Sequence, residues 1–301
     1  MVNDVPDVSP EIPPPTWRLV LKLLGRLPER ALSRSFGRIA DIPLPGGVRR
    51  LVLGSFARAV GIDLSEAARP LEEYPTLNAF FVRRLRDGAR LWPSGDEVLA
   101  SPVDGIVGRF GRVTKGEAIQ AKGHRYPVGD LLGDDTEAQR FEGGSFLTIY
   151  LSPRHYHRIH TPCAGTIAAA RYLPGALLPV NAPAVMHVPG LFARNERLLC
   201  YVDGVMGRVA VVAVGAYNVG RISAAFDPDW VGTPNEPWVT NRRPPAPLRR
   251  SYEPPKRVET GEELMAFHLG STVVLLFEPA VQLRADLQPG LEVRLGEPIM
   301  E

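Results

Sequence analysis

Three of the chain's six histidines fall within one short stretch, at His155, His157 and His160 of YLSPRHYHRIHTP. An imidazole with an ordinary pKa of about 6.5 is the readiest proton carrier at neutral pH, so a cluster of them is a candidate for acid–base work. A carboxylate stands at Asp104 in SPVDG, and a hydroxyl at Ser271 in Gly270-Ser271-Thr272, directly before the apolar run Val273 to Phe277. Nucleophilic chemistry needs those three things: a hydroxyl on a fixed backbone, a base, and a group that steadies developing charge. Each has a plainer use. Gly-Ser-Thr can be a turn with a capping hydroxyl, and the acid of SPVDG can be a turn-former. His157 and His160 could also ligate a metal, although no cysteine cluster or HExxH spacing supplies the remaining ligands.

The positions of these residues follow from the elements around them. The apolar run Phe146 to Leu151 ends at Ser-Pro, which places the histidines on a turn and the start of the next strand, where sites are usually built. Val273 to Phe277, apolar and rich in β-branched types, reads as a buried strand, so the Gly270–Ser271 bond sits at a strand entrance. Two internal echoes accompany this texture. SPVDGIV at Ser101 resembles TPCAGTI at Thr161, and V-x-x-G-E-x-[IL] occurs at Val113, Val258 and Val293. Where the first echo has Asp104 the second has Ala164, so the turn itself does not require an acid, and Asp104 moves toward a functional role.

In the order YPTLNAFFVRRLRDGARLW, SPVDGIV, IYLSPRHYHRIHTPCAG, YLPGALLPVN, LFARNERL, VGAYNVG and LGST, the chain from about Tyr74 onward resembles the pyruvoyl-dependent phosphatidylserine decarboxylase proenzymes. The resemblance implies that Asp104 and His160 activate Ser271, that the chain cleaves itself between Gly270 and Ser271, and that Ser271 becomes a covalent pyruvoyl (pyruvate) group at the head of a small chain. It implies that His157, the second histidine of the motif, serves decarboxylation of phosphatidylserine to phosphatidylethanolamine. A pyruvoyl carbonyl takes up a substrate amine and the electrons left when CO₂ departs, so no other cofactor is called for. Neither a G-x-G-x-x-G fingerprint nor a Walker loop is present. The partners implied are the phospholipid substrate and the enzyme's own small chain, with room for a homo-oligomer of the cleaved pair.

The chain is long enough to bury one large domain or two small ones. Its 30 prolines and 29 glycines favour many turns between short strands. A formal charge of +2 does not suggest a nucleic-acid partner, and Cys163 and Cys200 read as buried small residues in a reducing compartment. Residues 1–15 read as a disordered tail. Residues 16–73 read as short amphipathic helices. Six bases recur every fourth residue from Arg18 to Arg38. Trp17, Val20, Leu21, Leu24 and Leu27 form one apolar stripe, and Leu51, Val52, Phe56, Ala59 and Val60 another. Such helices either cap the main domain or lie on an anionic membrane; the expectation is a peripheral protein on the cytoplasmic side of the cell membrane, since no run approaches the ~20 apolar residues of a span. Residues 74–301 read as the catalytic domain, beginning with a helix from Tyr74 to Leu85 capped by Thr76, and residues 227–257 as a long irregular proline- and arginine-rich loop. The fold class is α+β: N-terminal helices, then a β-rich core of duplicated hairpins resembling barrel-sandwich modules. Two rivals remain. A serine hydrolase would keep Ser271, His160 and Asp104 as a standing triad, against which the missing G-x-S-x-G elbow counts. A non-catalytic barrel-sandwich binding module would leave the histidine stretch and Ser271 without a role.

Overall fold

The strand expected at Val273 to Phe277 is the middle of the structure. In the computed structural model, which describes residues 29–95, 97–121, 124–216, 220–231, 238–241, 246–268 and 272–301, β12 (Thr272–Phe277) is buried along its whole length. Its neighbours are β8 (Gly207–Val214) and β4 (Ser145–Tyr150), both antiparallel. Outward from these the sheet continues through β7 (Arg197–Gly204), β6 (Gly165–Leu173) and β10 (Leu248–Val258) on one side. On the other side lie β1 (Gly105–Arg112) and β13 (Glu292–Val293). An interior strand covered on both faces reads as a continuous apolar run, which is why VVLLF is legible.

Alternation along β12 separates two cores. Val273, Leu275 and Phe277 face a cluster that includes Ile159, Ile222, Leu264, Met265 and Phe267. Those residues belong to a second, three-stranded sheet of β5 (Arg158–His160), β11 (Glu263–Phe267) and β9 (Ile222–Ala224). Val274 and Leu276 face the other cluster, filled by the short helices α4 (Val128–Leu132), α6 (Ala182–His187) and α7 (Leu191–Arg194), with α5 (Asp135–Gln139) and the ribbon β2 (Glu117–Ala121) and β3 (His124–Pro127) alongside. The fold is α+β, with few helices and a core of antiparallel sheets.

Three expectations about elements change. The helix from Tyr74 to Leu85 is only α3 (Leu77–Phe81); Thr76 does cap it, its hydroxyl oxygen accepting from the Ala79 amide at 3.0 Å. Residues 248–257 are no loop: they form β10, an edge strand whose pairing skips from Ser251–Ala169 to Lys256–Ile167 around Pro254 and Pro255. Proline lacks the ladder donor, and an edge strand next to a register shift tolerates it. The stripe at Trp17 to Leu27 lies outside the described residues, as does the tail. Beyond it are α1 (Glu29–Ala40) and α2 (Gly46–Val60), the latter closed by Gly61 in the left-handed conformation at φ 79°. The buried residues of α2 are Leu53, Gly54 and Ala57, while Leu51 and Val52 of the expected stripe are 67% and 40% exposed.

The echoes have a structural counterpart. The amide of Ala100 donates to the carbonyl of Pro162 and that of His160 to Pro102, each at 2.9 Å. Ser101 and Thr161 donate in the same way to Glu297 and Glu262, at 2.7 and 2.8 Å, and accept from Gly296 and Gly261, at 3.0 and 3.1 Å. Gly105 pairs with Val293 as Gly165 pairs with Val258. Gly261 and Gly296 adopt φ of 80° and 85°, a region costly for other residues. The third copy, at Val113, makes a different turn, its Gly116 and Lys115 amides donating to Glu142.

Candidate active site

The end of the large sheet where β12 begins also carries the exit of β4, before the histidine stretch, and the entry to β1, after Asp104. Thr272, the first residue of β12, pairs with Tyr150, the last residue of β4, and with Val214, the last of β8. Tyr150 leads into the histidine stretch and also pairs with Ile106, two residues after Asp104. Two interstrand spacings, about 10 Å, therefore separate the start of β12 from the start of β1. Leu269, Gly270 and Ser271 lie outside the described residues. They connect His268, just after β11 of the small sheet, to Thr272 of the large one.

Each histidine has its own environment. His155 closes the Ser-Pro turn: its Nδ1 accepts from the Ser152 amide at 2.9 Å, and its amide donates to the Ser152 carbonyl at 3.0 Å. His157 is fully buried, its ring 4.0 Å from that of Phe81. Its Nδ1 donates to the His155 carbonyl at 2.8 Å, which leaves Nε2 as the unprotonated nitrogen, and that atom has no hydrogen-bond partner among the described residues. Burial, aided by the Arg83 charge, holds its pKa well below the usual value. His160 donates from Nδ1 to the Gly261 carbonyl at 2.7 Å and meets the Tyr156 hydroxyl at 3.1 Å through Nε2. Its pKa is also lowered, first by burial.

Asp104 is brought to the same region but not onto His160. Its carboxylate takes the Arg90 guanidinium, with Nε at 2.9 Å, and the Leu295 amide at 2.8 Å; no hydrogen bond joins it to His160 among the described residues. Arg90 also grips Glu66 with two bonds of 2.8 Å. A two-pronged guanidinium outcompetes a neutral imidazole for a carboxylate, and the Nδ1 proton is satisfied by a backbone oxygen instead. Asp104, His155 and Tyr156 open onto a cleft of about 210 Å³ whose walls include Arg83, Arg90 and Arg154. Among the described residues no three His, Cys, Asp or Glu side chains converge as metal ligands.

Three contributors carried no sequence signal of their own. Trp92 packs beside both echo turns: a Cβ on Gly261 would lie 2.4 Å from its Cε2, and its ring stands 5.9 Å from that of His160. Asn78, on α3, accepts from His268 Nδ1 at 3.2 Å and donates to Asp41 at 2.8 Å. His268 Nε2 lies 3.1 Å from the Ser223 hydroxyl, so both ring nitrogens are used, and burial with the nearby Arg221 charge pushes its pKa down to about 4. Cys163 and Cys200 are buried thiols, each pushed up to about 12 by desolvation.

Asp104 in its ion pair, the buried His157, and His160 held by the Gly261 carbonyl and Tyr156 are the candidate proton-handling groups of an α+β protein. The chain belongs to the phosphatidylserine decarboxylase family, whose pattern it matches over residues 77–301. It is 48% identical to the phosphatidylserine decarboxylase proenzyme of Anaeromyxobacter sp. (strain K), over 94% of this chain and 98% of that one. The proenzymes of the same name from Myxococcus xanthus (strain DK1622) and Alcanivorax borkumensis are 44% and 41% identical, over 93% and 92% of this chain and 96% and 94% of theirs.

Proposed function

We propose that the protein is a phosphatidylserine decarboxylase that produces phosphatidylethanolamine and CO₂ with a pyruvoyl group made from its own Ser271. The observation that carries the reading is the register of β12: the residue after Ser271 is paired with the residue that introduces the histidine stretch. In the self-processing step His160 takes the Ser271 proton and Oγ attacks the Gly270 carbonyl carbon. The C–N bond breaks as the C–O bond forms, giving an ester and a free amine. Loss of the Ser271 α-proton then expels Gly270 as a carboxylate and leaves dehydroalanine. One water hydrolyses its imine tautomer, releasing ammonia and leaving the pyruvoyl group. That group supplies an electrophilic carbonyl for the substrate amine and for the electrons released with CO₂. The residues present fit such a group, because His157 Nε2 is a buried, unprotonated nitrogen without a hydrogen-bond partner among the described residues. His157 is the candidate for taking up the proton that the substrate amine would shed on binding and returning it to the substrate α-carbon. Asp104 acts in this reading through its contacts with Arg90 and the Leu295 amide, which tie the SPVDG turn to the Glu66 segment and to the Val293 turn.

The finer organisation belongs to the same reading. The 16–73 segment docks on an anionic membrane from the cytoplasmic side. Phe36, Ile39, Ile42, Val48, Leu51 and Val52 are exposed apolar residues on and between α1 and α2, interspersed with Arg38, Arg49, Arg50 and Arg58. Among the described residues no helix is long and apolar enough to cross a membrane. The two echo turns are halves of a duplicated, barrel-sandwich-like core. Intact-mass analysis tests the central step: active protein should contain a fragment of residues 271–301, 31 residues long, headed by a keto group in place of an amine. A single uncleaved mass in fully active enzyme would falsify it.

A further inference from the structure

Tyr156 immediately precedes His157, and its ring stands 5.6 Å from that of His160, yet the proposed function gives it no part. Its side chain is buried, and its hydroxyl stands 3.1 Å from His160 Nε2. The geometry around His160 allows one reading of the protons. The Gly261 carbonyl can only accept, so Nδ1 carries the hydrogen in that 2.7 Å bond. Burial favours the neutral ring, so Nε2 is a lone pair. Burial also holds the Tyr156 phenol protonated, so its O–H is the donor. The imidazole is thus held from both ends in one tautomer, by a backbone oxygen and by a phenol.

We infer that Tyr156 is a positioning residue that acts through His160, fixing its tautomer and lowering the basicity of the nitrogen that serves self-processing; the inference rests on the assignment of His160 as the processing base. A hydrogen bond donated to the lone pair stabilises the neutral ring over the imidazolium; since Nε2 has only that lone pair, the Tyr156 O–H turns off it as the neutral ring takes the proton from Ser271. The arrangement keeps the base available below neutral pH. The charged groups that face His160 are Arg158 on β5, Glu263 on β11 and Arg84 after α3. Glu263 is paired with both arginines, at 2.5 Å to Arg158 and 3.2 Å to Arg84. None of them is hydrogen-bonded to the Tyr156 hydroxyl. The first echo offers a contrast: Ala100 stands where His160 stands in the second, so the turn geometry itself needs neither the imidazole nor the phenol.

The test uses the full chain carrying Ser271→Ala, which does not depend on cleavage, and follows the ring nitrogens of His160 by ¹⁵N NMR across pH. The expected result is the Nδ1–H tautomer, with Tyr156→Phe raising the His160 pKa by roughly half a unit to one unit, as loss of one neutral hydrogen bond would. In the cleavable chain the acid limb of the cleavage rate should move to higher pH by a similar amount. Replacing Tyr156 with a difluorotyrosine, a stronger donor of the same shape, should shift the His160 pKa down, and this arm decides the matter if Tyr156→Phe does not fold. An unchanged His160 pKa in the fluorinated protein, or an Nε2–H tautomer, overturns the inference. If His160→Ala cleaved at the normal rate, the assigned processing base would be wrong, yet the NMR shifts would still report on the Tyr156–His160 bond; if His160→Ala blocks cleavage and the shifts are absent, only the role of Tyr156 fails.

Discussion

His160 occupies in the second echo turn the place that Ala100 occupies in the first, each amide reaching across to the carbonyl of the other turn's proline at 2.9 Å. Asp104 and Ala164 are related in the same way. The two copies have therefore diverged reciprocally: one keeps the acid, the other keeps the base, and the backbone bonds between Pro102 and Pro162 bring both to one end of the sheet. A duplicated turn gives two equivalent backbone positions at no further cost, so a polar residue on one side and a small residue on the other suffices to build an asymmetric site.

That arrangement separates the roles of Asp104 and His160. His160→Ala should lower the rate of self-cleavage by about 10²-fold or more, the usual contribution of a positioned base. Asp104→Asn should slow cleavage as well, but through the contacts of Arg90 and Leu295, and should also destabilise the fold by about 3 kcal/mol as a buried ion pair loses a partner. Denaturant titration beside a gel assay of cleavage distinguishes them. An Asp104→Asn protein as stable as the parent, yet uncleaved, would mean that the carboxylate acts on His160 directly.

His157 should behave differently. His157→Ala is expected to leave cleavage intact and to lower kcat for decarboxylation by about 10²-fold, because the ring handles a proton in every turnover and is not needed to activate Ser271. Its ring sits fully buried against Phe81, which makes Phe81→Leu a milder version of the same defect. Failure of His157→Ala to cleave, with normal cleavage in His160→Ala, would exchange the two roles.

His268 ties acid stability to the residue two positions before Gly270. With a folded pKa of about 4 against an ordinary value of about 6.5, the unfolded chain binds the extra proton between those limits. The contribution is therefore present in full above pH 6.5 and is lost progressively as pH falls toward 4, amounting to on the order of 3 kcal/mol. Urea denaturation of the uncleaved Ser271→Ala chain should show this slope, and adding His268→Gln should flatten it between pH 6.5 and 4. An unchanged slope would assign the acid sensitivity to other groups.

How much of this was legible depended on whether the signal lay in side chains or in backbone. The burial of β12 and the turn after Leu151 could be read, because an apolar run and a Ser-Pro stop are properties of neighbouring residues. The partner of His160 could not. It is a backbone carbonyl 101 residues away at Gly261, and any residue type presents the same oxygen. The pairing of Asp104 with Arg90 was hidden for a related reason, since any of the chain's 31 arginines presents the same group to one acid. The edge strand β10 was concealed by Pro254 and Pro255, which punctuate loops far more often than strands.

The α1–α2 surface gives the last prediction, because here the inward and outward faces make opposite demands. Ile39 and Leu51 are 63% and 67% exposed, so Ile39→Ser with Leu51→Ser should change stability by no more than about 0.5 kcal/mol, the usual range for surface positions. The same pair should weaken co-sedimentation with vesicles containing anionic lipid, since the apolar contribution to docking is removed while the arginines remain. Raising salt should weaken binding of the parent and the variant alike, because screening acts on the charges alone. Leu53→Ala is the control: fully buried on the inner face of α2, it should cost about 2–5 kcal/mol. If the exposed pair leaves vesicle binding untouched at every salt concentration while the protein stays folded and cleaved, α1 and α2 serve as a structural cap. The membrane contact would then move to β10, whose Arg249 and Arg257 line the exposed edge of the large sheet.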